Sequence, residues 1–89
     1  MNTTHTENYE ELIALVHRAL QTEGAGSWSF DRLAELLQAE AERLDAEAAR
    51  CKYKRDSYSA RARDCRSWAV KMNRAADRAR IEEGAELAA

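Results

Sequence analysis

Two stretches of this sequence place apolar side chains at intervals of three and four residues, the spacing of one face of an α-helix. The first stretch comprises Tyr9, Leu12, Ile13, Val16, Ala19 and Leu20. Gly24 follows it, and glycine readily adopts the left-handed backbone that ends many helices. We therefore predict a first helix over about residues 5–23 and a loop over 24–28.

The second stretch follows a seven-residue repeat. One position of the repeat is occupied by Phe30, Leu37, Leu44, Cys51, Tyr58, Cys65, Met72 and Ala79. The other core position holds Ala34, Ala41, Ala48, Arg55, Ala62, Ala69 and Ala76. Neither glycine nor proline occurs between Ser29 and Glu83, and a turn would have no reason to preserve the phase of the repeat. The pattern predicts one long helix over about residues 29–83, with a frayed C-terminus at 84–89.

Such a helix cannot bury its apolar stripe alone, and the charge distribution suggests what covers it. Residues 1–49 hold 3 basic and 10 acidic residues, whereas residues 50–80 hold 11 basic and 3 acidic. Two antiparallel copies would set the acidic half of each against the basic half of the other. The predicted fold is therefore all-α, a single domain over residues 1–89 that forms an antiparallel coiled-coil or four-helix homodimer. The alternative is a monomeric three-helix bundle with a break near Asp56, which satisfies the same charges within one chain.

A specific register follows from this pairing. Opposing positions whose numbers add to 113 set large side chains against alanines, and the flanking positions bring Asp45 near Arg66 and Asp31 near Arg80. Arg55 faces Tyr58 at the midpoint, where a polar residue would specify the register. The candidate residues of the dimer seam are Phe30, Leu37, Leu44, Cys51, Arg55, Tyr58, Cys65 and Met72.

Composition argues against a β-sandwich or β-barrel and against a Rossmann-type or P-loop enzyme. Eighteen of the 89 residues are alanine, proline is absent, and the three glycines form no phosphate-binding loop. His17, Cys51 and Cys65 lack the spacing of a zinc site, and the carboxylates, Glu40 among them, are expected on solvent faces with ordinary pKa values. We expect no enzymatic activity, no catalytic residues, no cofactor and no metal. Without an apolar span or an apolar leader, a cytoplasmic protein with reduced cysteines and no membrane partner is the expectation.

The basic half remains as the candidate for binding another macromolecule. Its basic residues are spread around the predicted helix, which argues against a groove-binding face for nucleic acid. The leading hypothesis is a non-enzymatic module that occludes or bridges a protein partner or a nucleoprotein complex. Small phage or mobile-element inhibitors of host machines, anti-CRISPR proteins included, are of this type. Binding of nucleic acid through residues 50–80 is the alternative, and a coiled-coil spacer is the third hypothesis. The candidate partner-binding residues are Arg50, Tyr53, Arg63, Lys71, Arg74 and Arg78.

Overall fold

Three α-helices and one short 3₁₀ helix make up the fold of this computed structural model, which describes the backbone of residues 5–88 and the side chains of residues 9–85. In chain order the helices are α1 (His5–Gln21), α2 (Ser27–Arg50), a 3₁₀ helix (Lys52–Lys54) and α3 (Arg55–Ala88). The all-α prediction is confirmed for these residues, which include no β-strand. The bundle is elongated, with principal extents of 56, 22 and 15 Å.

The first turn has the predicted glycine at its centre. Gly24 adopts a positive φ of 78°, as expected for the residue that ends a helix in the left-handed region. The second helix begins at Ser27, inside the predicted loop, because a side chain from α3 caps it. The carboxylate of Glu83 accepts hydrogen bonds from the Ser27 backbone N–H and from its hydroxyl, each at 2.9 Å. A carboxylate at the positive end of a helix is electrostatically favourable, and these contacts hold the pKa of Glu83 below its usual value.

The predicted continuous helix over residues 29–83 is wrong in this structure, because the chain bends between α2 and α3. Cys51 has an extended backbone (φ −119°, ψ 90°), and the helical backbone resumes at Arg55. The bend lies close to the break that the alternative three-helix arrangement placed near Asp56. It lets α2 and α3 pack antiparallel, so that each buries the apolar stripe of the other within one chain.

The repeat positions form the core of this hairpin. Leu37, Leu44, Cys65 and Met72 have no exposed surface, and Phe30 is also buried. The alanine positions lie among them and are buried as well: Ala34, Ala41, Ala48, Ala62, Ala69 and Ala76. At the bend the stripe emerges, since Cys51 and Tyr58 are half-buried and Arg55 is exposed. The stripe assigned to a dimer seam is therefore largely covered inside one chain.

The two ion pairs that the antiparallel register predicts, Asp45–Arg66 and Asp31–Arg80, both occur, and they form within one chain. An Arg66 Nη atom lies 2.5 Å from an Asp45 carboxylate oxygen, and an Arg80 Nη atom lies 2.7 Å from Asp31. Because these pairs are about half exposed to solvent, each contributes only about 0–1 kcal/mol. They fix the register and direction of the helices more than they hold them together.

The C-terminal segment is more ordered than the sequence suggested. We expected fraying over residues 84–89, but α3 continues through Gly84 to Ala88. The residues beyond Gly84 include good helix formers, alanine, glutamate and leucine, which offset one glycine in a helix that already has about eight turns before it.

Truncation of Leu37 tests the hairpin core. Leu37 is fully buried, so we expect Leu37→Ala to lower the free energy of unfolding by about 2–5 kcal/mol. The matched control is Leu20→Ala, because Leu20 is 46% exposed, and it should cost less than about 1 kcal/mol. Urea denaturation followed by circular dichroism measures both. Equal losses for the two variants would contradict the assignment of the core to the α2–α3 seam.

Candidate interaction surface

Helix α1 covers one flank of α3 through aromatic side chains. The hydroxyl of Tyr9 donates a 2.5 Å hydrogen bond to Asp64, and burial together with this carboxylate raises the pKa of Tyr9 to about 12. The guanidinium of Arg61 lies 5.7 Å from the centre of the Tyr9 ring. One helical turn further along α3, Trp68 meets the edge of His17, with ring centroids 5.1 Å apart. This flank of α3 is occupied, and the flank toward α2 is occupied by the core.

The remaining side of α3 faces solvent, and we call it the α3 outer face. It is defined by exposed residues at helical intervals of seven, four, four and three: Arg63, Val70, Arg74, Arg78 and Ile81. At 1.5 Å per residue the face is about 27 Å long. Its three arginines form no ion pair with any residue whose side chain the structure describes. It therefore combines three uncompensated cations with two exposed aliphatic side chains.

The six predicted partner-binding residues divide into two groups. Arg63, Arg74 and Arg78 lie on the α3 outer face, and Lys71 lies at its edge, where the ammonium group sits 4.4 Å from the centre of the Trp68 ring. The other two lie outside this face. Arg50, at the end of α2, forms an ion pair with Glu47, and Tyr53 is 91% exposed in the bend.

The basic residues that the sequence spreads around the helix differ in the contacts that they make in the structure. Arg66 and Arg80 are engaged by acidic residues of α2, and Arg61 is placed against α1. Once these are set aside, the remaining arginines beyond the first turn of α3, Arg63, Arg74 and Arg78, share one side, whereas Arg55 is exposed at the start of the helix. Sequence reasoning names Arg63, Arg74 and Arg78 as candidates because they lie outside the predicted interhelical pairs. It does not indicate that Val70 and Ile81, which are 50% and 72% exposed, lie beside these arginines.

The expectation for Glu40 needs correction, because this residue is buried and not on a solvent face. Only 6% of its surface is exposed, and burial raises its pKa from 4.5 to about 6. Arg43, one turn later on α2, donates from its Nε to one Glu40 oxygen at 2.9 Å and from an Nη to the other. The residue falls at a position adjacent to the alanine repeat. That position does not indicate that α1, which places Leu12 and Leu15 near Glu40, would cover it.

Groups that could support chemistry are few among the described residues. Cys65 is buried, and its burial raises the pKa of the thiol to about 11, which disfavours the nucleophilic thiolate. Cys51 is half-buried, and both cysteines are free. Across the part of the chain with described side chains, no three histidine, cysteine or carboxylate residues cluster as metal ligands would. This surface can bind by charge and apolar contact, with no group placed for covalent chemistry.

A second exposed apolar feature lies between α1 and α2. A groove of about 390 Å³ there is lined by Leu15, Trp28, Leu33 and Leu36, with Arg18 and Arg32 on its rim. Trp28 is 76% exposed. The groove is open because α1 is shorter than α2 and covers it on one flank only.

Comparison with protein-family models, with curated proteins and with solved structures finds no match to this chain. Among the described residues, none of the helices combines the length and apolar character that crossing a bilayer requires.

The raised pKa of Glu40 predicts an unusual pH dependence of stability. Since the folded state holds this proton more tightly than the unfolded state, Glu40 makes the wild-type protein less stable as pH rises from 4.5 to 6. Glu40→Gln keeps an acceptor for Arg43 but removes the buried charge. We expect its free energy of unfolding, relative to wild type, to be about 1–2 kcal/mol more favourable at pH 7 than at pH 4.

Urea titrations of both proteins at the two pH values measure this difference. The matched control is Glu42→Gln, because Glu42 is exposed on the same helix. A pH-independent effect of Glu40→Gln would show that Glu40 is ionised as easily in the folded as in the unfolded protein.

Proposed function

We propose that this chain is a non-enzymatic interaction module that uses the α3 outer face to bind an acidic protein surface. Its action is occlusion or bridging: the bundle covers a site on its partner, or holds two partners together, without changing either chemically. The observation that carries the proposal is the set of three exposed arginines on one side of α3 without ion-pair partners among the described residues.

The composition of the face supports a protein partner. Val70 and Ile81 offer apolar area between and beside the arginines, and arginine together with apolar contact is enriched at protein interfaces. Arginine also pairs with carboxylates through two parallel hydrogen bonds, which adds directional specificity. With a length of about 27 Å, the face is comparable to one side of a small protein interface.

Nucleic acid is the second candidate partner, and one observation favours it. The arginines of the α3 outer face lie in a line along the helix, which matches contacts to successive backbone phosphates. Against it, the chain as a whole carries a net charge of −2, and the face exposes aliphatic side chains rather than the aromatic rings on which bases stack. A coiled-coil spacer, the third hypothesis, would need neither the arginines nor the aliphatic residues of this face.

The size of the chain and the nature of the surface suit a small inhibitor of a larger machine. A body 56 Å long can block a groove or a subunit contact on its target through one charged face. Phage and mobile-element inhibitors of host defence, the anti-CRISPR type included, act in this way. The partner of such an inhibitor would present an acidic surface to the α3 outer face.

Neutralising the α3 outer face tests the proposed function. We expect the triple variant Arg63→Gln, Arg74→Gln and Arg78→Gln to weaken partner binding at least about tenfold, because each lost arginine–carboxylate contact costs about 1 kcal/mol or more. Its thermal stability should stay close to that of wild type, because the three side chains are exposed and unpaired. Partners are captured from a nuclease-treated bacterial lysate on immobilised protein, and the affinity of each is then measured by calorimetry.

The matched control replaces three exposed basic residues elsewhere, Arg18, Arg32 and Lys54, with glutamine, which removes the same charge and keeps every candidate partner-binding residue. A partner held equally by both triple variants would refute the α3 outer face as the site. Electrophoretic mobility of a DNA duplex and of a single strand at 50 mM salt separates the second candidate. If the nucleic acid is retarded at 50 mM salt, much less so by about 200 mM, and not at all by the triple variant of Arg63, Arg74 and Arg78, the partner is nucleic acid and not a protein.

A further inference from the structure

The bend between α2 and α3 is made by residues that could equally continue a helix. Only Cys51 departs from helical or 3₁₀ backbone, and Lys52–Lys54 already form a 3₁₀ turn. Two backbone hydrogen bonds span the bend: the Cys51 N–H donates to Glu47 O and the Lys54 N–H to Cys51 O. Neither glycine nor proline lies between Ser27 and Glu83. Nothing in the sequence forces the chain to turn at this point.

The repeat on either side of the bend remains in one phase. Leu37 and Leu44 precede the bend, Cys65 and Met72 follow it, and all four are buried at multiples of seven residues from one another. Two helices joined by an ordinary loop have no need for a common phase. In a straight helix, by contrast, this phase would keep every buried position on one side.

The contacts between α2 and α3 would be equally satisfied between two chains. The numbers in both interhelical ion pairs, Asp45–Arg66 and Asp31–Arg80, add to 111. Residues related by a constant sum face each other in an antiparallel hairpin, and they do so equally in an antiparallel pair of straight helices. The contacts of α1 with α3, through Tyr9 and Asp64, would transfer in the same way.

From these observations we infer that two copies of this chain exchange α3. The bend of each copy straightens, α2 and α3 become one helix, and the α3 of one copy packs on the α1 and α2 of the other. The dimer retains the contacts of the closed chain and adds a new interface where the two straightened segments cross, with Arg55 opposite Tyr58 of the second copy. Straightening the bend removes few side-chain contacts, because Tyr53, the largest side chain of the bend, is 91% exposed.

The exchange does not depend on the proposed function, because the α3 outer face is turned away from α2 in both forms. It does bear on bridging. The exchanged dimer carries two such faces on one rigid body, whereas the closed chain carries one.

Mixing charge-reversed chains tests the exchange directly. One chain carries Asp31→Lys and Asp45→Lys, and the other carries Arg66→Glu and Arg80→Glu. Alone, each sets like charges together in the closed form and in its homodimer. In a mixed exchanged dimer, every one of these positions meets its opposite charge. We expect the heterodimer to exceed either homodimer several-fold by native mass spectrometry, after mixing in reducing buffer, with a rise in melting temperature.

The matched control mixes a chain carrying Glu23→Lys and Glu35→Lys with one carrying Arg74→Glu and Arg78→Glu, which are exposed residues outside the interhelical pairs. In this control mixture, the heterodimer and the two homodimers should form in the proportions expected for random association. Failure of the first mixture to form heterodimer, or heterodimer at random proportions only, would overturn the exchange. In closed chains the mismatched charges lie within each chain, so mixing cannot restore the ion pairs. The same holds for closed chains that associate through another surface.

A second pair of variants guards against misfolding of the charge-reversed chains. Cys51→Ala favours helix at the one extended residue of the bend, and Cys51→Gly disfavours it. Because formation of the dimer converts two bends into helix, we expect the dimer dissociation constant of Cys51→Ala to be at least about tenfold lower than that of Cys51→Gly. Sedimentation velocity over a concentration series measures both. Equal constants, or a wild-type protein that stays monomeric at millimolar concentration, would contradict the inference.

Discussion

The antiparallel packing of α2 on α3 is the constraint on which the rest of this structure depends. Alanine occupies one of the two core positions in nearly every repeat, so the two backbones can approach closely while Leu37, Leu44 and Met72 fill the space opposite. Helix α1 extends this core through the fully buried Val16 and the partly buried Leu12 and Ile13. Even so, most of the largest fully buried side chains among the described residues lie in the contact between α2 and α3: Leu37, Leu44, Cys65 and Met72.

The same packing determines which charges remain at the surface. Asp45 and Asp31 reach across to Arg66 and Arg80 because the helices run antiparallel with the acidic segment against the basic one. Helix α1 then occupies the flank of α3 that carries Tyr9's partner, Asp64. The arginines left on the third side have no acidic helix beside them. The candidate interaction surface is thus the side of α3 that contacts neither α2 nor α1.

Much of this arrangement follows from sequence, and the limits have identifiable causes. The helical class, Gly24 at the first turn and the two interhelical ion pairs could be predicted, because periodicity and charge are local or pairwise properties. The bend at Cys51 could not, since a hairpin and a pair of straight helices satisfy the same pairs. Periodicity alone cannot decide between contacts within a chain and contacts between chains.

The burial of Glu40 was missed for a different reason. Whether a position beside the alanine repeat is covered depends on where α1 lies, and that placement is set by contacts distant in sequence, such as His17 with Trp68. The same contacts decide which basic residues of α3 are engaged. Sequence reasoning therefore identified most of the residues of the candidate surface without identifying the side of the helix on which they act.

The partition of charge gives the bundle a direction. Within α3, residues 55–80 hold 8 basic and 3 acidic residues, more cations than Asp31 and Asp45 of α2 engage, so part of this positive charge faces solvent. The acidic segment forms α1 and α2 on the other side, within a body only 22 Å wide. The field of such a charge separation orients the molecule before contact, presenting α3 first to an anionic surface and turning α1 and α2 away from it. In the proposed function, a face assembled in this way would select for its partner's charge during approach and for its partner's shape on contact.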